Sequence, residues 1–527
     1  MPYTRLDGQL TGGVLPEASA PAAAEADQEL TELRAQVREM FAAILEMDPA
    51  AVSDTAHFIY DLGGDSLESI SLSIALEEKY DLLIPTDAFM SCVCVNDVAQ
   101  LLYNLRHGRN EQPAGEEPKQ VRMISRFEDT PEHAAFQERL RGIEAAGDNP
   151  YFVCHESPLT DVSLMDGQEV LNFGSYNYVC MSGRPETEEA AIAAIRKYGT
   201  SASGSRLLAG EKKIHQELEQ AIAQWKHAEA ALVLVGGHST NVTIVGNFCG
   251  PKDLIVYDAI AHNSIAEGCR LSSATSKPFP HNDVHALEGI LKTQRHRFEK
   301  VLIVVEGAYS MDGDIAPVPE LVELKKRYGC FLMVDEAHSA CVLGETGGGV
   351  DEHFHLAPDD IDIKMGTLSK GLGTCGGYLA GKRCLIDYLR YSLPGFVFSV
   401  GISPPLAAAA LEAIRLLQTN PQILEDLRRN IRVFVEEAHK RGLNTCLAGE
   451  TAIIPILVGG DDEAFALSIE QGKHGVFVPP AVYPAVPRGK ARLRYCVTSD
   501  HKPEQIIKAL DILVETARNM GIELPGK

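Results

Sequence analysis

Cys330-Phe331-Leu332-Met333-Val334-Asp335-Glu336-Ala337-His338-Ser339 is an apolar run that ends in an acid and, three residues on, a histidine. A second run, Asp362-Ile363-Lys364-Met365-Gly366-Thr367-Leu368-Ser369-Lys370-Gly371, ends in a lysine about 35 residues after Asp335. Short continuous apolar runs of this kind read as strands buried on both faces. Three more, AALVLVGG (230–237), DLIVYD (253–258) and KVLIVVEG (300–307), lie upstream. Between the strands stand helical stretches such as EKKIHQELEQAIAQWK (211–226) and APVPELVELKKRYG (316–329). That alternation predicts an α/β domain with a mostly parallel sheet. Ligands in such sheets sit at the carboxyl ends of the strands. The polar clusters GGHSTN, EGAYSMDGD, DEAHS and TLSKG each follow a strand directly, so chemistry is expected there.

The whole chain has 527 residues, too many for one ordinary core, which predicts two or more domains. A formal charge of −25 argues against a nucleic-acid or anionic-membrane surface, because a polyanion repels phosphate. No signal-like segment opens the chain and no apolar run reaches the length of a membrane span. Twelve cysteines without a CxxC pair read as reduced thiols, and a cytoplasmic location is expected. Cys92 and Cys94 are close, but two thiols alone make no metal site, and no metal is expected.

Residues 1–26 lack periodicity and are predicted to be disordered. From 27 to 107 the pattern is helical. Leu30, Leu33, Val37, Phe41, Ile44 and Leu45 form one stripe. Leu67, Ile70, Ile74 and Leu76 mark a second amphipathic stretch over 66–80, and a shorter helical piece spans 97–105. This unit is acidic, and the polar Gly- and Pro-containing GRNEQPAGEEPKQ (108–120) opens a linker that runs to about 130. The α/β domain is expected over 131–527, with a smaller α+β subdomain over roughly 410–527.

Asp61-Leu62-Gly63-Gly64-Asp65-Ser66-Leu67 leads into the second helix of the acidic unit. A plain N-cap explains Ser66 but not the Gly pair or the second Asp. The combination resembles the D-x-G-x-D-S-L motif of acyl and peptidyl carrier proteins, a small all-α four-helix family. That resemblance implies phosphopantetheine on Ser66, a phosphopantetheinyl transferase and an acyl-loading enzyme as partners. A hydroxyl at a helix N-terminus suits a phosphodiester, since free N–H groups and the dipole favour negative charge there.

In the larger domain the residue types fit pyridoxal phosphate (PLP), which needs a lysine for its Schiff base, an acid at the pyridine nitrogen, a phosphate cradle and a stacking group. Asp335 after its strand suits the ring nitrogen, and His338 the phenolic oxygen. An isolated DEAH string would suggest a helicase-type motif, but no G-x-x-x-x-G-K-[ST] accompanies it. Lys370 is flanked by small and hydroxyl residues rather than standing as a solvated surface lysine.

The ordered set is similar to that of the α-oxoamine synthases over roughly residues 131–520, a PLP-dependent fold-type I family. Asn172-Phe173-Gly174-Ser175-Tyr176-Asn177-Tyr178 resembles the family's N-F-x-S-x-x-Y motif. Gly199-Thr200-Ser201-Ala202-Ser203-Gly204-Ser205-Arg206 resembles G-x-G-x-x-x-S-R, with Ala202 departing. The resemblance implies backbone donors to phosphate at Gly237 and His238, with His238 where the family has an aromatic ring. Thr367 joins that cradle. It further implies that His262 stacks on the ring, that Glu306 and Ser310 lie beside it, and that Arg494 with Asn177 grips the substrate carboxylate. Phe398-Ser399-Val400 stands where the family has F-S-T, so Ser399 replaces the missing threonine as a phosphate contact across a two-fold interface.

The activity implied is a decarboxylative condensation. An amino acid displaces Lys370, which then removes the α-proton; Asp335, His262 and Lys370 are the catalytic set. The resulting carbanion attacks an acyl thioester, and loss of CO2 leaves an α-amino ketone. The fused unit favours an acyl group on the phosphopantetheine of Ser66, in lipid or secondary-metabolite biosynthesis by a homodimer. A serine-palmitoyltransferase-like enzyme using acyl-CoA or a carrier is the alternative, and an inactive carrier scaffold is the alternative of another class.

Overall fold

The computed structural model describes residues 20–59, 61–64, 66–107, 124–145 and 149–526. Its contacts divide the chain into two units, Met1–Gln120 and Val121–Lys527. The expected disorder over 1–19 and most of the linker, 108–123, lie outside the described residues.

The first unit is a bundle of helices: α1 (Ala20–Ile44), α2 (Ser66–Tyr80), α3 (Thr86–Met90) and α4 (Val95–Arg106). Helix α1 starts at Ala20, within the stretch expected to be disordered, where an alanine-rich run has high helix propensity. Leu33, Val37 and Phe41 of the predicted stripe are buried. On α2 the buried apolar residues are Leu72 and Leu76, while Ile70 and Ile74 are only partly covered. They meet Val95, Val98 and Leu102 of α4. Helix α3 has five residues, too few for its periodicity to show in the sequence.

In the second unit the helix Pro131–Ala145 is followed by a hairpin, β1 (Val162–Met165) and β2 (Gln168–Asn172). The central sheet then collects β3 (Ala230–Leu234), β4 (Leu254–Asp258), β5 (Thr275–Phe279), β6 (Val301–Glu306), β7 (Phe331–Asp335), β8 (Ile363–Thr367) and β9 (Gly377–Gly381). Their order is β3-β9-β8-β7-β6-β4-β5, parallel from β8 through β5, with β9 antiparallel to both its neighbours. Strands β6 to β8 are buried almost throughout; β6 and β7 are apolar up to their terminal acids, and the Lys364 of β8 is paired with Asp351 at 2.6 Å. The remaining strands are β10 (Ile453–Gly459), β11 (Val476–Phe477), β12 (Pro480–Ala481) and β13 (Ala491–Cys496).

Strands β10, β13 and β12 form an antiparallel sheet, while β11 pairs with β2. The smaller layer therefore recruits residues 162–172 from well before the central sheet. In contrast, the helix Pro404–Thr419, partly within the range expected for that layer, packs on the helices Pro185–Tyr198 and Lys213–Trp225. Sequence separation did not reveal either exchange, since hairpin and helix choose partners by the apolar faces they must cover. Among the described residues no helix is long and apolar enough to cross a membrane, and none of their His, Cys, Asp and Glu side chains form a group suited to a metal.

Candidate active site

Strands β6 and β7 run in register, so Glu306 and Asp335 end side by side at the carboxyl edge of the sheet. Asp335 is buried; its Oδ1 accepts from the Ala337 N–H at 2.9 Å and its Oδ2 from Asn241 Nδ2 at 2.6 Å. The same Asn241 amide donates to Ser264 Oγ at 2.9 Å, and that hydroxyl lies 2.7 Å from His262 Nδ1. His262 caps the helix Asn263–Leu271, its Nδ1 also accepting from the Ser264 N–H. With Nδ1 an acceptor, the ring's proton resides on Nε2. A chain of hydrogen bonds thus runs from Asp335 through Asn241 and Ser264 to His262. The His262 N–H in turn donates to Glu306 Oε1 at 2.6 Å. Burial, reinforced by the Asp335 carboxylate, pushes Glu306 well above the ordinary carboxylate range. Burial also lowers His262.

Lys370, three residues beyond β8, brings its Nζ to 2.7 Å from His338 Nε2. His338 Nδ1 faces the Tyr178 hydroxyl at 2.7 Å. Burial and the neighbouring Lys370 and Arg494 cations hold His338 well below its ordinary value, so the imidazole is neutral. Burial likewise lowers the Lys370 amine to about 8, against the pull of Asp335 and Glu306. Arg494, on β13, donates from Nε to the Ser310 carbonyl at 2.6 Å and from Nη1 to Cys496 Sγ at 3.1 Å. The exposed ring of Tyr176 lies 4.9 Å from the Arg494 guanidinium and 5.7 Å from Lys370 Nζ.

The helix Gly237–Phe248 begins beside this cluster. A Cβ at Gly237 would come within 2.8 Å of Thr367 Oγ1, so only glycine lets this N-terminus approach β8 so closely. The first-turn N–H groups of Gly237 and His238 have no intrahelical acceptor, which with the Thr367 hydroxyl makes an anion cradle. His238 itself turns outward to Glu267, 3.4 Å away, and meets His262 edge-on. A lysine of lowered basicity, a buried carboxylate, a neutral histidine pair and an anion cradle fit PLP as a donor set.

One expected residue is otherwise engaged. The Asn177 amide donates to the Leu159 and Ser182 carbonyls and accepts from the Ser182 N–H. It is spent on its own turn and presents no free donor for a substrate carboxylate. Ser399, expected to reach the phosphate of a second subunit, sits in a partly exposed segment beside Val400, which bridges to Ser205. Ser310 takes part through its carbonyl. Nothing in the sequence marks Asn241, Ser264, Tyr176 and Tyr178 as functional residues. Only the four-residue step from Gly237 to Asn241, which turns a helix face inward behind the cradle, hinted at one of them.

In the other unit, Gly63 adopts a positive φ of 77°, and a Cβ on Gly64 would strike the Phe58 ring at 2.5 Å. Phe58 in turn packs edge-on against Phe41 of α1. The Gly pair thus lets the loop turn tightly over the core before α2 opens at Ser66, whose side chain is outside the described residues.

Residues 168–513 match the family described as Aminotransferase class I and II, and residues 35–102 match Phosphopantetheine attachment site. The 8-amino-7-oxononanoate synthase of Treponema denticola is 38% identical over 386 residues, 73% of this chain and 97% of that one. The 8-amino-7-oxononanoate synthase 1 of Bacillus subtilis is 40% identical over 356 residues, 67% of this chain and 90% of its own length. Among solved structures, serine palmitoyltransferase from Sphingomonas wittichii superposes with a TM-score of 0.72 at 29% identity, covering 76% of this chain and all of that one.

Proposed function

Because the chain belongs to the PLP-dependent α-oxoamine synthases, with a phosphopantetheine-attachment domain ahead of the enzyme domain, we propose that it condenses a small amino acid with an acyl thioester, releasing CO2 and an α-amino ketone. Support comes from one observation above the rest: Lys370, His338, Asp335, His262 and Arg494 converge at the carboxyl edge of the sheet in a chain that also holds a carrier unit.

Each residue then has a task. Lys370 would hold the cofactor covalently, Asp335 its ring nitrogen, and Gly237, His238 and Thr367 its phosphate. His262 would cover the ring and His338 face its phenolic oxygen. Bound PLP supplies an electron sink for a carbanion at the α-carbon. Lys370, with its amine lowered to about 8, is suited to take the α-proton at Nζ near neutral pH. Arg494, fixed by the Ser310 carbonyl and Cys496, has further N–H donors for the substrate carboxylate. Tyr176, stacked over Arg494 and Lys370, screens both from water.

The acyl group arrives on phosphopantetheine at Ser66, installed by a phosphopantetheinyl transferase and charged by a separate loading enzyme. Tethering supplies a high effective concentration of thioester. The working unit is a homodimer, as the exposed aromatic residues Tyr388, Tyr391 and Phe398 support. The similarity to serine palmitoyltransferase favours a second reading, in which the acyl donor is acyl-CoA.

One experiment separates the two. Wild-type chain treated with a phosphopantetheinyl transferase gains one phosphopantetheine by mass, and Ser66→Ala gains none. Ser66→Ala should lose product from carrier-loaded acyl groups while its cofactor absorbance and amino-acid binding stay unchanged. If Ser66→Ala turns over acyl-CoA as fast as the loaded wild type works, the CoA reading holds and the carrier is not the donor.

A further inference from the structure

Outside the residues that face substrate, one cluster of charge joins two parts of the site. His281, just after β5, places Nδ1 3.1 Å from both carboxylate oxygens of Asp258 and Nε2 2.9 Å from Asp314 Oδ2. Both ring nitrogens face carboxylates, which accept only, so both must carry hydrogen and the ring is a cation. The Asp258 carboxylate is fully buried and that of Asp314 nearly so. The ring rests edge-on against buried Tyr309 at 4.4 Å. Asn282, in the left-handed region at φ 54°, donates its N–H to Asp258 and its amide to Asp314.

Asp314 belongs to the loop Gly307–Ala316, which folds back on itself through Tyr309 N–H to Asp314 O and Gly313 N–H to Tyr309 O. That loop supplies the Ser310 carbonyl that receives Arg494 Nε. On its other side the loop is tied to the smaller layer, by Arg492 at Met311 O and Asp312 and by Thr451 at Gly313 O. On the side of β4 and β5 it is held through Asp314 by His281 and Asn282. Without the imidazolium, two covered carboxylates would face each other, and the repulsion would move the one on the loop.

We propose that His281 is a positioning residue for substrate binding: its cation, bridging Asp258 and Asp314, fixes the 307–316 loop so that the Ser310 carbonyl aims Arg494 at the carboxylate of the incoming amino acid. This rests on the reading of Arg494 given above. His281 touches neither substrate nor cofactor; its effect passes through the loop and is therefore specific to ligands with a carboxylate.

The test uses the full-length holoenzyme and follows the absorbance of the bound cofactor as ligand is added. Glycine, L-alanine and L-serine are compared with methylamine, ethylamine and ethanolamine, which lack the carboxylate. His281→Gln, and separately Asp314→Asn, should raise the dissociation constant of the amino acids roughly tenfold or more. The matched amines should stay within about twofold of wild type. Circular dichroism on both variants checks that the fold is intact, and Asp314→Asn stands as the test if His281→Gln is not. Placed on an Arg494→Ala background, His281→Gln should add no further loss for amino acids. Equal weakening of acids and amines, or no weakening of either, overturns the proposal. If Arg494→Ala itself fails to separate acids from amines, the carboxylate role of Arg494 falls, and this proposal with it.

Discussion

Lys370 Nζ stands 2.7 Å from His338 Nε2, and the far side of the same imidazole meets Tyr178 at 2.7 Å. A neutral imidazole offers one acceptor and one donor. Lys370 below its titration point is an ammonium and can only donate, so Nε2 accepts and Nδ1–H donates to the Tyr178 hydroxyl. The lysine ammonium therefore fixes the tautomer, and the phenol oxygen accepts from the far nitrogen. Two buried groups of like potential charge are kept compatible because one of them, His338, never ionises in the working range.

The first prediction concerns uptake of the cofactor. Only a neutral amine condenses with an aldehyde, and burial lowers Lys370 to about 8. The rate at which apoprotein gains its visible absorbance with added PLP should rise about tenfold per pH unit below that value and level off above it. A rate still climbing steeply beyond pH 9 would show an ordinary lysine instead. Lys370→Ala should gain no band and give no product.

Asp335 and Asn241 form the second test. Asp335→Asn removes the negative charge at the ring nitrogen and should lower kcat by roughly 10²–10³-fold, the scale of one preorganised electrostatic contact. Asn241→Ala leaves Asp335 charged but drops the amide that ties it to Ser264 and His262. Its cost should be smaller, roughly tenfold, with a shift in the cofactor's absorbance maximum. A spectrum and kcat unchanged in both variants would remove Asp335 from the ring nitrogen.

His281 also predicts a dependence of stability on pH. Burial alone would depress it, but the hydrogen bonds to Asp258 and Asp314 prevail and raise it to about 10. A folded-state value above the unfolded one means that the contribution is complete below about pH 6.5 and is lost as pH climbs toward 10. The melting temperature of wild type should exceed that of His281→Gln most at pH 6, and the gap should narrow steadily up to pH 10. A gap that widens with pH would contradict the assigned charge.

The fourth prediction is about assembly. Phe398 is 87% exposed in the single chain and follows the exposed Tyr388 and Tyr391. Phe398→Glu should shift light scattering from dimer toward monomer and lower turnover, since a charge in an apolar interface costs far more than it does in water. An active monomeric wild type at assay concentration would exclude the dimer.

Much of this was readable before any tertiary structure. The apolar runs at 301–306 and 331–335 announce strands covered on both faces, 363–367 joins them despite its buried Lys364, and the residues at their ends are the ones the sheet brings together. Glu306 and Asp335 needed no more than strand direction to be placed at one edge. The Gly63-Gly64 pair stood out as part of the carrier-like motif, but its tight turn over Phe58 came only with the structure. Less legible were residues whose role is to hold other residues. Asn241, Ser264 and Tyr178 matter through partners 94, 23 and 160 positions away, and no local pattern encodes such distances.

Adjacent residues make the division plain. Tyr176 and Asn177 sit in one motif, and only Asn177 was expected at the substrate. The chain turns at this point, and the Asn177 amide satisfies the Leu159 and Ser182 backbone while the Tyr176 ring covers Arg494 and Lys370. By itself the sequence determined the two units, the strand-helix alternation and the lysine, acid and histidine at the strand ends, because periodicity and burial are local properties. Which side chain reaches which was decided by strand order, by the recruitment of residues 162–172 to β11 and by the ion pairs of His281. Those depend on what packing brings within hydrogen-bond range, and buried polar groups must take the partners they find there.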